Sequence, residues 1–307
     1  MTSTVAATPA LPARVGRSDQ ARAQHRLGWM LSAPAVSLLL LVTAYPILNA
    51  AWLSLFSYRL TAPDAREFVW FKNYQVVLSD GLWWGDFATT TVITAVTVLV
   101  ELIIGFGFAM VMNKVVFGRG AVRTSILVPY AVITVVSAYA WQYAFANDSG
   151  FVNSWLGISR DWFGERGSAL FVICLSEIWK TTPFVSLLLL AGLAQVPHDL
   201  QEAAQVDGGS SWQRIRRVTL PNMQGAIMVA LLFRTVDAFR IFDNIFIMTA
   251  GAGGTESVSI LAYRQTVSRT EIGLGSAISV LLFLSVILIC GVFIKLFRTD
   301  LAQAKGG

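Results

Sequence analysis

Six long apolar stretches constrain this 307-residue chain more than any other feature of its sequence. A helix that crosses a bilayer needs about 20 mostly apolar residues. The stretches lack the alternation of barrel strands, so each predicts a helix. We therefore expect an all-α integral membrane protein with six transmembrane helices. The stretches are Leu27 to Ser57, Ala88 to Met112, Thr124 to Phe145, Ser168 to Ala194, Asn222 to Ala250 and Gly275 to Phe297.

The distribution of basic residues predicts the orientation of these helices. Thirteen Lys and Arg residues lie in the N-terminal segment, in 113–123, in 195–221 and at the C-terminal end from Lys295, whereas the alternate segments hold seven. Because basic loops stay in the cytoplasm, both termini are expected there. Spread over four segments, this charge predicts contact with anionic membrane lipid and argues against a nucleic-acid partner. The predicted organisation is a disordered cytoplasmic tail (1–26), a transmembrane domain (27–297) and a cytoplasmic tail (298–307).

The sequence lacks the motifs of an ATPase or another enzyme. No G-x-x-x-x-G-K-[ST] phosphate loop occurs, and neither does a nucleophile elbow or an H-E-x-x-H zinc motif. Cys174 and Cys290 both fall inside predicted helices, with no second ligand at metal-binding spacing. We therefore predict no catalytic residue, no metal site and no cofactor in this chain.

The loop 195–221 has the pattern of two short helices around a turn. The sequence of 207–209, Asp-Gly-Gly, predicts the turn. Ser210 or Ser211 is expected to cap the second helix, which is predicted to end before Leu220. Such a helix pair on the cytoplasmic face suits docking to a partner protein, although an ordinary interfacial amphipathic helix is the simpler interpretation.

The pattern Glu202-Ala203-Ala204-x-x-Asp207-Gly208, followed after nine residues by Val218-x-Leu220-Pro221, resembles the EAA loop of binding-protein-dependent ABC importer permeases. In that family the loop supplies a coupling helix that sits in a cleft of the ATP-binding subunit. The small alanines permit close approach, and glycine allows a backbone conformation denied to other residues. The resemblance implies a coupling role for Glu202, Ala203, Ala204, Asp207 and Gly208.

Seven ionisable residues lie inside the predicted helices, where each costs roughly 2.5 to 3.5 kcal/mol on insertion scales. Four of them recur every three residues in the fifth helix and predict a ladder of alternating charge. A second pair at i, i+3 lies in the fourth helix, and the residue in the second helix needs a partner from elsewhere. The charges either only neutralise one another or line a polar path for a ligand. They are Glu101, Glu177, Lys180, Arg234, Asp237, Arg240 and Asp243.

Within this family the sequence is most similar to the maltose-type sugar permeases, and particularly to actinobacterial trehalose importer permeases. The matching motifs are Trp179-x-x-x-Pro183-Phe184 and Thr249-Ala250-Gly251. These permeases contact sugar from the helices on either side of the EAA loop, often through Asn, Ser and aromatic side chains where this chain has charges. The resemblance implies substrate contacts by Glu177, Lys180, Thr181, Phe184, Arg234, Asp237, Ala238 and Ile241.

The resemblance implies a permease in the cytoplasmic (inner) membrane that imports a sugar, trehalose in particular. The implied partners are a second homologous permease, two ATP-binding subunits that hold ATP and Mg²⁺, and an extracytoplasmic sugar-binding protein. Another disaccharide, an oligosaccharide or glycerol phosphate stays open as the ligand. An ion-coupled secondary transporter, suggested by the intramembrane carboxylates, and a lipid-embedded enzyme are the alternatives from other classes. The EAA loop argues against the first, and the absence of a catalytic constellation argues against the second.

Overall fold

The computed structural model describes residues 19–115 and 117–304, and most of these residues are helical. Short strands β1 (Phe56–Ser57) and β2 (Glu67–Phe68) pair antiparallel. The α-helices within the described residues are α1 (Asp19–Leu53), α2 (Lys72–Ser79), α3 (Gly81–Lys114), α4 (Arg119–Ala131), α5 (Thr134–Ala144), α6 (Phe151–Leu156), α7 (Arg166–Leu193), α8 (His198–Val206), α9 (Ser211–Arg214), α10 (Leu220–Asn222), α11 (Gln224–Ala238), α12 (Asp243–Met248), α13 (Val258–Tyr263) and α14 (Ile272–Ala304).

The ends of the chain differ in extent from the sequence expectation. Helix α1 begins at Asp19 rather than Leu27, and α14 continues to Ala304, past the predicted end at Phe297. The rest of the two predicted tails, 1–18 and 305–307, lies outside the described residues. The chain divides into two compact units, residues 1–49 and 50–307. The second unit contains the predicted coupling loop and all the intramembrane charges.

Four described helices are long and apolar enough to cross a membrane unbroken: Arg26–Leu53, Gly81–Lys114, Arg166–Leu193 and Ile272–Lys295. The predicted third span is divided into α4 and α5, which meet at 87° and make a fifth crossing if they count as one. The chain after Pro129 leaves helical geometry at Val132 and Ile133, whose backbones are extended. The predicted six-helix count is compatible with this arrangement.

The predicted fifth span, Asn222 to Ala250, is not one helix. Helix α11 ends at Ala238, and α12 begins only at Asp243. Non-helical backbone at membrane depth is tolerated only where protein or a polar cavity satisfies it. Both conditions hold here, since the Ser257 hydroxyl donates to the carbonyl of Ile241 at 3.0 Å. The Arg240, Ile241 and Phe242 residues of this break also line a polar cavity.

The second unit is built around α7, which packs along α3 and against α11. Close approach of α3 and α7 depends on Gly105, where a Cβ would lie 3.1 Å from Cγ1 of Val185. A buried apolar cluster around Ala109, Leu189 and Ala230 joins these helices on one side. The polar residues therefore occupy a position between helices already fixed by apolar packing.

A glycine at the end of α7 lets α11 approach closely. A Cβ added at Gly192 would lie 2.3 Å from the Cβ of Ala226, and neither atom can rotate away. We expect Gly192→Ala to push α7 and α11 apart and to lower stability by about 1–3 kcal/mol, the usual cost of overpacking. The measurement is chemical denaturation of the purified protein in detergent. Gly225→Ala is the matched control, because a Cβ there meets nothing within 4 Å; equal stability of the two variants would contradict this packing.

Candidate functional site

A buried arginine joins three helices next to the polar cavity. Arg234 of α11 is only 1% exposed. Its guanidinium Nη2 donates to Oε1 of Glu101 on α3 at 3.0 Å and to Oε1 of Glu177 on α7 at 2.9 Å. Its Nη1 donates to Oδ2 of Asp237 at 2.8 Å, and its Nε donates to Glu101. We call these four residues the Arg234 cluster.

The carboxylates of the cluster have further donors. The Thr181 hydroxyl lies 2.7 Å from Oε1 of Glu101 and 2.7 Å from the carbonyl of Glu177, and its one proton can go to either. Asn244 of α12 donates through Nδ2 to Oε2 of Glu177. Glu177 is therefore held by Arg234 on one oxygen and Asn244 on the other. Full pairing of this kind is what a buried carboxylate requires.

This pairing differs from the sequence prediction in two places. The predicted Glu177–Lys180 pair is wrong, because both oxygens of Glu177 accept from other helices. The predicted charge ladder holds only for Arg234 and Asp237, since α11 ends at Ala238 before the ladder can continue. Across the described residues, Arg240 forms no salt bridge. The prediction that Glu101 finds its partner on a different helix is confirmed.

A cavity of about 290 Å³ opens beside the cluster. Of the eight predicted substrate residues, five line it, and the other wall positions come from α4, α5, the break after α11 and the start of α12. Three carboxylates and two cations face one volume, with a tyrosine ring at one side. The lining residues are Tyr130, Thr134, Glu177, Lys180, Thr181, Asp237, Arg240, Ile241, Phe242, Asp243 and Asn244.

The other three predicted substrate residues lie outside the cavity lining. Arg234 lies behind the wall and fixes two of its carboxylates. Phe184 stacks on Tyr130, with ring centroids 5.5 Å apart. Ala238 is 1% exposed, and its neighbour Phe239 packs edge-on against Phe87 of α3, away from the lining residues. A substrate contact by Ala238 therefore has no support in this geometry.

Tyr130 and Asn244 are cavity residues that the sequence prediction missed. Tyr130 belongs to the third span, which was predicted only as membrane-spanning, whereas the predicted substrate residues were confined to the fourth and fifth spans. Asn244 is 1% exposed and its Oδ1 lacks a hydrogen-bond partner among the described residues. An uncharged polar residue inside an apolar stretch was the signal that could have identified it.

Lys180 and Tyr130 give the cavity a mixed chemical character. The Lys180 Nζ lies 5.5 Å from the centroid of the Tyr130 ring, within the range of a cation–π contact. Fixed donors and acceptors beside an aromatic face suit a ligand with many hydroxyl groups and an apolar ring face. In the described chain, no group of three or more His, Cys, Asp or Glu side chains is arranged to hold a metal ion.

Residues 195–221, called the coupling segment after their predicted role, fold largely as the sequence predicts. Gly208 follows α8 with φ at 78°, the left-handed conformation that favours glycine. The Ser210 hydroxyl accepts a hydrogen bond from the backbone N–H of Gln213, and the Gln213 side chain accepts one from the backbone N–H of Ser210. Ser210 rather than Ser211 therefore caps α9. Arg214 donates to Oε1 of Gln205 at 2.9 Å and ties the two helices together.

The second helix of this segment continues further than predicted. A π-helical turn (Ile215–Thr219) leads directly into α10, so the helix does not end before Leu220. Pro221 lies in the first turn of α10, directly after this π-helical turn. Glu202 and Ala203 are exposed on α8, as a docking surface requires. Their role in docking stays a prediction.

Comparison with known proteins decides the class. Residues 101–301 match the family described as binding-protein-dependent transport system inner membrane component. The chain belongs to this family. It is an inner-membrane permease component of an ABC transporter, without enzymatic function of its own, as its sequence predicts. As the family description states, transport depends on a binding protein, which is one of the predicted partners.

Two relatives and one solved structure show the extent of the likeness. The permease is 48% identical to the trehalose transport system permease protein SugA of Mycobacterium tuberculosis (strain H37Rv) over 291 residues, 95% of this chain and 94% of SugA. It is 38% identical to the trehalose/maltose transport system permease protein MalF of Thermococcus litoralis over 285 residues, 90% of this chain and 96% of MalF. These matches extend over nearly the whole chain.

The fold has a counterpart of known structure. A chain of the bacterial alginate ABC transporter, in complex with an alginate pentasaccharide-bound periplasmic protein, superposes with a TM-score of 0.78 at 20% identity. The likeness covers 93% of this permease and 98% of that chain. At this identity it shows the fold alone. The all-α ABC permease fold expected from the sequence is therefore confirmed.

Removal of the Arg234 charge is expected to destabilise the permease strongly. Arg234→Met leaves Glu101 and Glu177 buried without their cation, and breaking a buried pair in this way costs about 3–5 kcal/mol. Denaturation in detergent measures the loss. The control is Arg240→Met, since Arg240 is exposed. If the Arg234 and Arg240 variants unfold at the same denaturant concentration, the Arg234 cluster does not stabilise the fold.

Proposed function

We propose that this permease imports trehalose across the cytoplasmic membrane as one half of a permease pair. Its partners in this proposal are a second, similar permease, two ATP-binding subunits and an extracytoplasmic sugar-binding protein. The proposal is supported by the family and by the names of the two relatives, both of which specify trehalose. The observation that carries it is the polar cavity between the helices that flank the coupling segment.

The charges of the cavity favour a neutral polyhydroxyl ligand. Glu177, Asp237 and Asp243 outnumber the two cations of the lining, Lys180 and Arg240. Arg234 behind the wall is already bonded to three carboxylates and has no role left for a ligand anion. Hydrogen bonds from charged groups to sugar hydroxyls are stronger than those between neutral groups. A glycerol phosphate or an acidic sugar would meet more carboxylates than cations here.

The surface beside the cavity suits a second chain. The cavity measures about 290 Å³, at the lower end of the range of about 300–1,000 Å³ that ligand pockets usually occupy. Tyr139 and Tyr143 of α5 are exposed aromatic side chains on a helix beside it. A second permease packed near this face would enclose a sugar between two half-sites.

The order of the helices along the chain supports a mechanical link from the ATP-binding subunits to the cavity. The segment 195–221 directly connects α7, which bears Glu177, with the helix that leads to Arg234. By the distribution of basic residues this segment and both termini lie in the cytoplasm. Movement of α8 by an ATP-binding subunit would thus reach the two helices whose side chains meet at 2.9 Å. ATP and Mg²⁺ belong to the partner subunits in this proposal.

The whole complex in proteoliposomes tests the proposed ligand. We expect trehalose, delivered by the binding protein, to stimulate ATP hydrolysis and to accumulate inside the vesicles. Maltose, a longer oligosaccharide and glycerol phosphate are the comparison ligands. If uptake persists without ATP and stops when the ion gradient is dissipated, the protein is a secondary transporter instead.

Substitutions in the coupling segment are expected to prevent ATP hydrolysis from driving transport. A β-branched residue at Gly208 cannot adopt φ at 78° without strain of about 1–3 kcal/mol. We therefore expect Gly208→Val and Glu202→Lys to abolish ATP-driven uptake. Gly157→Val is the matched control, because Gly157 has the same left-handed conformation, φ at 65°, in a predicted outer loop. Normal uptake by both coupling variants would rule out the coupling assignment.

Cavity residues are expected to determine the transport rate while leaving assembly intact. Lys180→Gln and Asp243→Asn each remove one charged hydrogen-bonding group, worth about 1.5–3 kcal/mol. Sugar uptake should therefore fall by about 10- to 100-fold, with subunit co-purification unchanged. Lys72→Gln, at an exposed lysine outside the cavity, serves as the control. Unchanged uptake in both cavity variants would show that the cavity is not the sugar site.

A further inference from the structure

Glu101 is the member of the Arg234 cluster that is most remote from the cavity lining. Glu177 and Asp237 line the cavity, and Arg234 shares α11 with Asp237, whereas no residue of α3 lines it. Its side chain is 0% exposed. A carboxylate at this depth is costly unless paired, and an apolar pair of similar volume is often equally stable. Its presence therefore calls for a purpose other than stability. The purpose can be read from its contacts.

Each partner of Glu101 either lines the cavity or holds a residue that does. Its Oε1 accepts from Nη2 of Arg234 at 3.0 Å and lies 2.7 Å from the Thr181 hydroxyl. Arg234 also donates through Nε to the second oxygen of Glu101. Two nearly parallel donors on one carboxylate fix the plane of the guanidinium. Thr181 itself is part of the cavity wall.

The fixed guanidinium in turn places two wall carboxylates. Its Nη2 reaches Glu177 at 2.9 Å, and its Nη1 reaches Asp237 at 2.8 Å. Without Glu101, the remaining acceptors of Arg234 would both be cavity residues. The guanidinium would then rotate toward the cavity and draw these carboxylates with it. Glu101 therefore opposes this movement from the far side, on α3.

We propose that Glu101 is a positioning residue for the substrate site, acting through Arg234 and Thr181 without touching the ligand. The inference rests on the proposed sugar site. It assigns to α3 a part in substrate recognition, although α3 provides none of the cavity lining. It predicts that shortening this side chain changes the cavity even when the charge is kept.

The first test uses Glu101→Asp in the complete complex in proteoliposomes. A purely structural defect lowers uptake and binding-protein-stimulated ATP hydrolysis together, so the sugar imported per ATP hydrolysed stays constant. A misplaced site lowers that ratio, and we expect a fall of about tenfold, within the roughly 100-fold that a misplacement of about 1 Å can cost. Glu256→Asp is the matched control. Glu256 is a buried carboxylate paired with Arg264 at 2.8 Å, outside the cavity lining.

The second test does not depend on transport. In a chain with Cys174→Ala and Cys290→Ala, Asp243→Cys places one thiol in the cavity wall. The rates at which an anionic and a cationic methanethiosulfonate reagent label it report the local potential. Rotation of Arg234 toward the cavity in Glu101→Asp should raise the anionic-to-cationic ratio by at least about threefold. The charge of residue 101 is unchanged, so only a change of position can produce this effect.

The two measurements separate the possible failures. If the wild-type complex imports no sugar, the proposed function is wrong, and the labelling ratio alone then decides whether Glu101 positions Arg234. If sugar is imported but Glu101→Asp changes neither the sugar imported per ATP nor the labelling ratio, the positioning role is wrong. A changed labelling ratio in Glu256→Asp would also overturn it, because the effect would then be general.

Discussion

One buried guanidinium determines how the charged part of this permease is organised. Arg234 meets carboxylates from α3, α7 and its own helix within hydrogen-bonding distance. In an environment of low dielectric constant such a charge is retained only when its partners come from fixed positions. The apolar packing of α3 against α7 supplies those positions, and the charges then fix how α11 lies against both. Stability and site geometry therefore depend on the same contacts.

The break in the fifth predicted span follows from the same constraint. A continuous helix would carry Arg240 and Asp243 onward into the bilayer with only each other as partners. By leaving the helix at Ala238, the chain turns these side chains to an exposed position at the cavity. The carbonyl of Ile241 is satisfied by Ser257, and that of Ile247 accepts from Gln142 at 2.8 Å. The cost of irregular backbone is thus offset by side chains from two other segments.

The sequence was sufficient for the class and insufficient for the pairing. Apolar length located the unbroken helices but not the breaks in the third and fifth spans, and the Asp207–Gly209 turn with its serine cap was predictable because it depends on local chemistry. The partners of Glu177 were not, since spacing along one helix favours Lys180 whereas the structure uses Arg234 and Asn244 from elsewhere in the chain. Contacts between distant segments depend on helix packing angles, which periodicity does not encode. For this reason Arg234 was assigned to the ligand but lies behind the wall.

The order of elements along the chain explains how a motor could act on such a site. Helices α7 and α11 are neighbours in sequence on either side of the coupling segment, and they are neighbours in space through Glu177 and Arg234. Glu101 on α3 adds a third attachment that does not belong to this connection. A displacement of α8 would therefore move α11, which carries Arg234, and α7, which carries Glu177, relative to Glu101 on α3. Because Arg234 lies 3.0 Å from Glu101 and 2.9 Å from Glu177, it cannot follow α7 away from α3 without losing a hydrogen bond to Glu101.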